Sequence, residues 1–152
     1  MKIYMTGIGA TPYAREYLSK FGASLRAQGH QVFVAHENSW DTTPDAYEQN
    51  RFEAGASWLA LSDSDWLVAV LDGYCVDDAV ATQIGMFYAL CRTQDRPRRI
   101  IGVLHDSRIA GWNWTAGDRA LSPQVRDCIR DFGEVVPSFS RARALLDLAR
   151  EG

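Results

Sequence analysis

Three carboxylates and one amide follow an apolar segment of this chain, and together they have the functional groups for acid–base chemistry and for holding a polar ligand. The apolar run covers residues 66–71, and Asp72, Asp77, Asp78 and Gln83 come after it. A carboxylate can take up or release a proton in a reaction, whereas an amide is uncharged and only forms hydrogen bonds. If the run is a strand of an open α/β sheet, these residues lie near its carboxyl end, where such sheets bind ligands.

Asp77 and Asp78 also suit a structural role, because a helix is expected to begin just after them. Either carboxylate can serve as an N-cap, accepting hydrogen bonds from the otherwise unpaired amides of the first helical turn. We predict that Asp78 is the cap. For Asp72, a structural alternative is that it shapes the turn after the strand together with Gly73.

Short apolar runs alternate with segments of helical periodicity along the chain, which is typical of a parallel sheet with crossover helices. The predicted strands are 2–6, 31–35, 66–71, 99–104 and 134–137, and the predicted helices are 13–28, 47–61, 79–92, 123–132 and 141–150. We therefore expect a single domain over residues 1–152 with an α/β fold, a flavodoxin-like or Rossmann-like three-layer sandwich around a five-stranded parallel sheet. Gly29 is the expected cap of the first helix.

Helical spacing also predicts which side chains are buried. The first helix places Tyr17, Leu18, Phe21 and Leu25 on one face. The second helix is expected to bury Phe52, Trp58, Leu59 and Leu61.

Composition narrows the classes of partner and location. A net charge of −3 gives no basic footprint for nucleic acid. The three cysteines show no Cys-x-x-Cys pairing and the three histidines no metal-ligand spacing, so we expect neither disulfides, a metal nor another cofactor. No segment is apolar for long enough to span a membrane, and no secretory signal is evident, which favours a cytoplasmic protein.

The segment 71–85 resembles the signature of the nucleoside 2-deoxyribosyltransferase family. That signature runs Leu-Asp-Gly, three variable residues, then Asp-Asp/Ser-Gly-Thr-Ala-aromatic-Glu-Ile-Gly, and here it reads LDGYCVDDAVATQIG. The resemblance extends to the Ile3-Tyr4 start, to residues 64–73, and to residues 101–108. It implies a nucleoside or nucleotide ligand and a homo-oligomer, commonly a dimer assembled further.

The resemblance also implies roles for individual residues. The family's nucleophilic glutamate, which attacks the anomeric carbon, corresponds to Gln83, and an aspartate that protonates or orients the base corresponds to Asp77. A tyrosine beside the nucleophile corresponds to Tyr4, and an asparagine that reaches the sugar of a neighbouring subunit corresponds to Asn113. Our candidate catalytic residues are Asp77, Asp78 and Gln83, and the candidate substrate-binding residues are Tyr4, Gly7, Asp72, Gly73 and Asn113.

Gln83 departs from the family pattern in a way that changes the chemistry. A glutamine oxygen is a poor nucleophile and carries no charge to offset a developing oxocarbenium ion. Ala79 and Val80 also replace a Gly-Thr pair, and Thr82 replaces an aromatic residue. Hydrolysis by water that Asp77 or Asp78 activates is one expectation, non-catalytic nucleoside binding is a second, and a flavodoxin-like interaction module is a third.

Some of the singled-out residues also fit purely structural roles. Tyr4 suits a core position, and the Trp112-Asn113-Trp114 segment suits a cover for a sheet edge or a subunit interface. The Gly7-Ile8-Gly9 segment lacks the third glycine of a dinucleotide-binding fingerprint. His36 and His105 follow strands, where histidine more often only forms hydrogen bonds.

Overall fold

The computed structural model describes residues 1–9, 11–37, 47–73, 75–105 and 121–151, and for residues 47–54 it describes the backbone alone. Its strands are β1 (Lys2–Thr6), β2 (Gln31–Val34), β3 (Trp66–Val70), β4 (Arg99–Val103) and β5 (Gly133–Val136). Its helices are α1 (Pro12–Ala27), α2 (Tyr47–Asp63), α3 (Asp78–Thr93), α4 (Pro123–Arg130) and α5 (Phe139–Glu151), with a short 3₁₀ turn at Ala35–Glu37. The Trp112-Asn113-Trp114 segment and the side chain of Phe52 lie outside the described residues.

The strands form one parallel sheet in the order β2-β1-β3-β4-β5. This order and the helical layers on both faces confirm the predicted flavodoxin-like three-layer fold. The direction in which successive strands are added along the sheet reverses between β1 and β3, and ligands of open α/β sheets bind at such switch points.

Two apolar cores hold the helices against the sheet, one on each face. On one face, α1 and α5 bury side chains that include Leu18, Phe21 and Phe139 against β1, β3 and β4. On the other face, α2, α3 and α4 cover a core that contains the ring of Tyr4. Neighbouring residues of a strand point to opposite faces, so Tyr4 and Met5 belong to different cores.

The first helix begins and ends as its sequence indicates. The Thr11 side chain accepts a hydrogen bond from the amide of Ala14 at 3.1 Å, and Pro12 takes the first helical position. At the other end Gly29 adopts a positive φ of 86°. The amides of Gly29 and His30 donate to the carbonyls of Arg26 and Leu25, which closes the helix and confirms the predicted cap.

The second helix differs from expectation in its buried face. Leu61 is buried as predicted, but Trp58 is 42% exposed and Leu59 is 67% exposed, so their predicted burial is wrong. The reason is that α2 packs on the sheet mainly through Leu61, while Trp58 borders an open cavity next to α3. Tyr17 of α1 is likewise 40% exposed because it lies at the mouth of another cavity.

Candidate functional site

A cavity of about 300 Å³ lies between α2, α3 and the middle of β1. We call it the Gln83 cavity, and its lining includes Tyr4, Ser57, Trp58, Asp78, Gln83 and Met86. Strand β1 supplies Tyr4, α2 supplies Ser57 and Trp58, and α3 supplies Asp78, Gln83 and Met86. The cavity therefore joins residues that lie far apart in the sequence.

Two buried polar atoms in this lining lack hydrogen-bond partners among the described residues. They are the hydroxyl of Tyr4 and the Oε1 atom of Gln83. Tyr4 is completely buried and its ring stacks on Phe33, with the ring centroids 5.2 Å apart. Native proteins pair almost all of their buried polar atoms. Three further buried atoms lack a partner elsewhere in the described residues, namely Gln28 Oε1, His30 Nε2 and His36 Nδ1.

The electrostatic surroundings of Tyr4 keep it in its neutral form. Burial raises the pKa of the Tyr4 hydroxyl, because the charged phenolate is poorly solvated there. The nearby Ser57 side chain lowers this pKa in part, although the two hydroxyls do not meet hydrogen-bond geometry. Tyr4 is therefore a hydrogen-bonding group at neutral pH and not a base.

The two adjacent carboxylates at the start of α3 have different roles. Asp77 is the N-cap: its Oδ1 accepts hydrogen bonds from the amides of Ala79 at 3.0 Å and Val80 at 3.3 Å. Asp78 is already the first helical residue, so its predicted role as the cap is wrong. The physical reason is that an N-cap keeps an extended backbone, as Asp77 does with a ψ of 140°.

Asp78 is the carboxylate that borders the Gln83 cavity. Its side chain is exposed, and its Oδ1 accepts a hydrogen bond of 2.8 Å from the amide of Ala79. Asp78 can thus take up a proton from a water molecule in the cavity while its other oxygen remains oriented by this contact. Among the predicted site residues, the structure brings together Tyr4, Asp78 and Gln83 in one cavity.

Asp72 lies in a different place, at the carboxyl ends of β3 and β4 on the face covered by α1. It borders a second cavity of about 380 Å³, which we call the Asp72 cavity and whose lining includes Ile8, Tyr13, Tyr17, Val70, Asp72 and His105. The Asp72 carboxylate accepts from the amide of His105 at 2.6 Å and lies 2.7 Å from its Nδ1 atom. Asp72 and Gln83 are therefore not brought into one cavity.

A chain of polar side chains continues from Asp72. The Nε2 atom of His105 lies 3.0 Å from the Tyr17 hydroxyl, and the imidazole also contacts the ring of Phe139. Burial, the negative charge of Asp72 and the nearby Tyr13 all raise the pKa of Tyr17. Sequence reasoning missed this cluster. The available signal was that Asp72 and His105 each follow an apolar run at the same distance. The structure pairs Val70 with Val103, so the two side chains come two residues later on neighbouring parallel strands.

The two candidate glycines have structural roles. A Cβ atom on Gly7 would lie 2.9 Å from Cβ of Val70 and 3.1 Å from the side chain of Leu18, so glycine lets α1 pack close to the sheet. Gly73 has a φ of 130°, a conformation that other residues rarely adopt. Both residues shape the loops at the carboxyl edge of the sheet.

Sequence reasoning also missed Ser57, Trp58 and Met86 as lining residues of the Gln83 cavity. The sequence predicts burial of Trp58 in the core, because an apolar residue spaced along a helix face is usually buried. In the described residues no group of three or more His, Cys, Asp or Glu side chains is placed to hold a metal ion. The described helices include none that is long and apolar enough to cross a membrane.

Comparison with known proteins shows that several solved structures have a similar fold. No protein-family model and no curated protein matches the chain. A conserved protein from Enterococcus faecalis V583 is 25% identical with a TM-score of 0.74, and the match covers 93% of this chain and 94% of that one.

Two other solved structures share the fold at lower identity. A 2-deoxyribosyltransferase from the psychrotolerant bacterium Bacillus psychrosaccharolyticus is 17% identical with a TM-score of 0.68, over 93% of this chain and 90% of that one. A CMP N-glycosidase from Clostridium botulinum is 14% identical with a TM-score of 0.51, over 98% and 99% of the two chains.

Proposed function

We propose that the chain is a divergent nucleoside 2-deoxyribosyltransferase-like protein that binds a nucleoside or nucleotide in the Gln83 cavity and hydrolyses its N-glycosidic bond. The observation that carries this proposal is the meeting of Tyr4, Asp78 and Gln83 around one cavity. Two of these three residues, Tyr4 and Asp78, match the resembled family's pattern, and Asp78 is an exposed carboxylate. The third, Gln83, takes the position of that family's nucleophilic glutamate.

The proposed reaction follows from the charges of these groups. Gln83 cannot form a glycosyl-enzyme, because its amide oxygen is a poor nucleophile. Water instead attacks C1′ while Asp78 accepts its proton, and the bond from C1′ to the base nitrogen breaks with its electron pair going to the base. The base is then protonated and Asp78 releases its proton, so that water has been added across the bond.

The structural neighbours support this proposal through the fold. One of them is a 2-deoxyribosyltransferase and another is a CMP N-glycosidase, so the architecture accommodates both transfer and hydrolysis in those proteins. The resemblance of segment 71–85 adds support at the residue level. It further suggests that a homo-oligomer forms and that Asn113 reaches the sugar bound to a neighbouring subunit.

The test is to incubate the purified protein with a panel of nucleosides and their 5′-monophosphates, with and without an acceptor base, and to follow free and exchanged base by chromatography. We expect base release without exchange. Asp78→Asn should abolish the release, because an amide cannot accept the proton. Asp77→Asn is the matched control, since asparagine also caps a helix. Release that survives Asp78→Asn and stops with Asp77→Asn would contradict the assignment to Asp78.

Non-catalytic binding is the second candidate function. The uncharged Gln83 favours this candidate, because it cannot act as a nucleophile. Among the described lining residues the only carboxylate is then Asp78, and its side chain is exposed to solvent. Saturable binding of a nucleoside without any base release would support a binding or sensing role. The absence of binding by every nucleoside and nucleotide at millimolar concentration would rule out both candidate functions.

A further inference from the structure

We propose that the Asp72 cavity is a second ligand site, which binds a planar aromatic molecule through the rings of Tyr13 and Tyr17 and through a hydrogen bond from an N–H or O–H group of the ligand to the Tyr17 oxygen. This site is separate from the Gln83 cavity. The inference goes beyond the proposed function and does not rest on it.

The Asp72 cavity lies at the edge of the sheet where open α/β folds bind ligands. Val70 and Val103 are paired at the carboxyl ends of β3 and β4, and Asp72 and His105 follow them there. Ile8, which follows β1, also lines the cavity. The volume of about 380 Å³ falls within the range of about 300–1,000 Å³ that is typical of small-molecule sites. Position and size therefore both fit a ligand site.

The lining of this cavity combines two tyrosine rings with apolar side chains. Tyr13 and Tyr17 are four residues apart on α1, so their side chains are neighbours on the helix surface. Tyr13 is 81% exposed and Tyr17 is 40% exposed, which leaves both rings surface to contact a ligand. Ile8, Leu18 and Val70 supply apolar contacts. Because aromatic rings pack favourably against each other, this lining fits a planar aromatic molecule.

A chain of hydrogen bonds defines the polar group that the ligand needs. Asp72 Oδ2 lies 2.7 Å from His105 Nδ1, and an ionised carboxylate only accepts, so Nδ1 carries the proton. In the neutral imidazole Nε2 then accepts, and the Tyr17 hydroxyl at 3.0 Å donates its one proton to it. This hydrogen bond is exposed, and the Tyr17 oxygen can still accept. A ligand that pairs with this oxygen must therefore bring a donor.

The Tyr17 side chain is held in this arrangement by packing as well as by hydrogen bonding. Its ring centroid lies 5.0 Å from that of Phe139 and 5.5 Å from that of His105. Burial and the charge of Asp72 raise the pKa of Tyr17, which keeps the hydroxyl protonated at neutral pH. Removing the hydroxyl should therefore leave the ring in place, and this allows the two parts of the site to be tested separately.

The experiment compares two bicyclic probes of nearly the same shape, indole and benzothiophene. Indole carries an N–H donor, and benzothiophene has a sulfur atom in its place. Two-dimensional ¹H–¹⁵N NMR of the labelled protein follows each titration at about pH 7.5, where histidine is ordinarily neutral. We expect indole to shift the amide signals of Tyr13, Tyr17 and His105 saturably. It should bind about threefold or more tightly than benzothiophene, which is the effect of one hydrogen bond.

Three variants test the residues. Tyr17→Phe removes the acceptor and keeps the ring, so indole and benzothiophene should bind to it about equally. Tyr13→Ala removes a ring and should weaken both probes alike. Tyr88→Phe is the matched control: the Tyr88 hydroxyl is bonded to Asp131 at 3.0 Å and does not border the Asp72 cavity, so the preference for indole should persist.

Several outcomes would overturn the inference. They are the absence of any saturable shift, shifts confined to the lining of the Gln83 cavity, equal binding of the two probes to the wild type, and full preference for indole in Tyr17→Phe. The wild-type comparison of the probes decides the matter even if a variant does not fold. None of these measurements involves base release, so the proposed function is tested separately by its own assay.

Discussion

At the scale of single residues, the Gln83 cavity contains buried polar atoms that lower the stability of the ligand-free protein but can bind a ligand. Tyr4 and Gln83 each hold a buried polar atom without a partner among the described residues. Replacing such an atom by an apolar group removes a desolvation penalty and loses no hydrogen bond. The stability of the ligand-free protein and its affinity for a ligand should therefore respond in opposite directions to the same substitution.

Tyr4→Phe tests this at the first residue. We expect the free energy of unfolding to stay the same or to rise by up to about 1 kcal/mol, because the lost hydroxyl is unpaired. Urea denaturation of the ligand-free protein measures this. A fall of more than about 1 kcal/mol would mean that the hydroxyl is paired in solution.

Gln83→Glu tests the electrostatic environment of the Gln83 cavity. Partial burial should raise the pKa of the new carboxyl above its ordinary value of about 4.3. An acid whose pKa is raised on folding destabilises the protein only where it ionises. The variant should therefore match the wild type near pH 4 and lose stability as the pH rises towards 7. Denaturation curves at these pH values measure the difference, and a pH-independent difference would contradict the account.

The same variant has a catalytic consequence. A glutamate at position 83 restores the nucleophile of the family motif, so Gln83→Glu should create or strongly raise base exchange between a nucleoside and an acceptor base. Chromatography with and without the acceptor measures this exchange. A well-folded but inert variant would show that the cavity differs from that family in more than one residue.

At the scale of elements, the start of α3 connects stability to the site. Asp77 caps this helix, and the helix carries both Asp78 and Gln83 into the cavity. On β3 and β4, the parallel register places Asp72 beside His105, and this pair joins the two strand ends to Tyr17 of α1. Each element therefore positions side chains through contacts at its ends.

The cap gives a prediction for this element. Asp77→Ala should lower the free energy of unfolding by about 1 kcal/mol, because the amides of Ala79 and Val80 lose their acceptor. Asp77→Asn should lower it much less, since asparagine accepts the same hydrogen bonds. Urea denaturation distinguishes them, and equal losses in the two variants would argue against a capping role.

At the scale of the whole molecule, a polar junction joins the amino ends of the strands. The Asp65 carboxylate accepts from the backbone amide of Lys2 at 2.8 Å and from Arg96 Nε at 3.1 Å. Arg98 is buried nearby and donates to the carbonyls of Ser62 and Ser64. These contacts connect β1, the end of α2, β3 and the segment before β4.

This junction makes stability depend on pH. Burial tends to raise the pKa of Asp65, but the hydrogen bonds from Lys2 and Arg96 outweigh it and hold the pKa below its usual range. A lowered pKa stabilises the folded state above the unfolded value, and this contribution disappears as the pH falls through the folded value.

Asp65→Asn should accordingly lower the free energy of unfolding by about 1 to 2 kcal/mol at pH 7, with the difference from wild type closing below about pH 4. The exposed ion pair of Asp63 with Lys2 offers the control, since Asp63→Asn should change stability much less than Asp65→Asn does. Denaturation across this pH range measures both variants. A gap for Asp65→Asn that stays constant down to about pH 2 would contradict the assignment.

Local signals are the reason that the elements could be predicted. Strands β1 and β3 follow from short apolar runs, and α1 follows from its periodicity and from Gly29, so their bounds differ from expectation by at most about one residue. The candidate site was only partly predictable. The motif pointed to Tyr4 and Gln83, but it also drew in Asp72, which borders the other cavity.

The sequence by itself determined the elements, their parallel order and the motif residues at the carboxyl edge of the sheet, because periodicity, caps and motif spacing are local properties. Only the tertiary structure decided which cavity each side chain borders, which carboxylate caps α3, and that Tyr4 and Gln83 lack partners among the described residues. These properties depend on how helices distant in sequence cover the two faces of the sheet, and the composition of any one segment does not specify that arrangement.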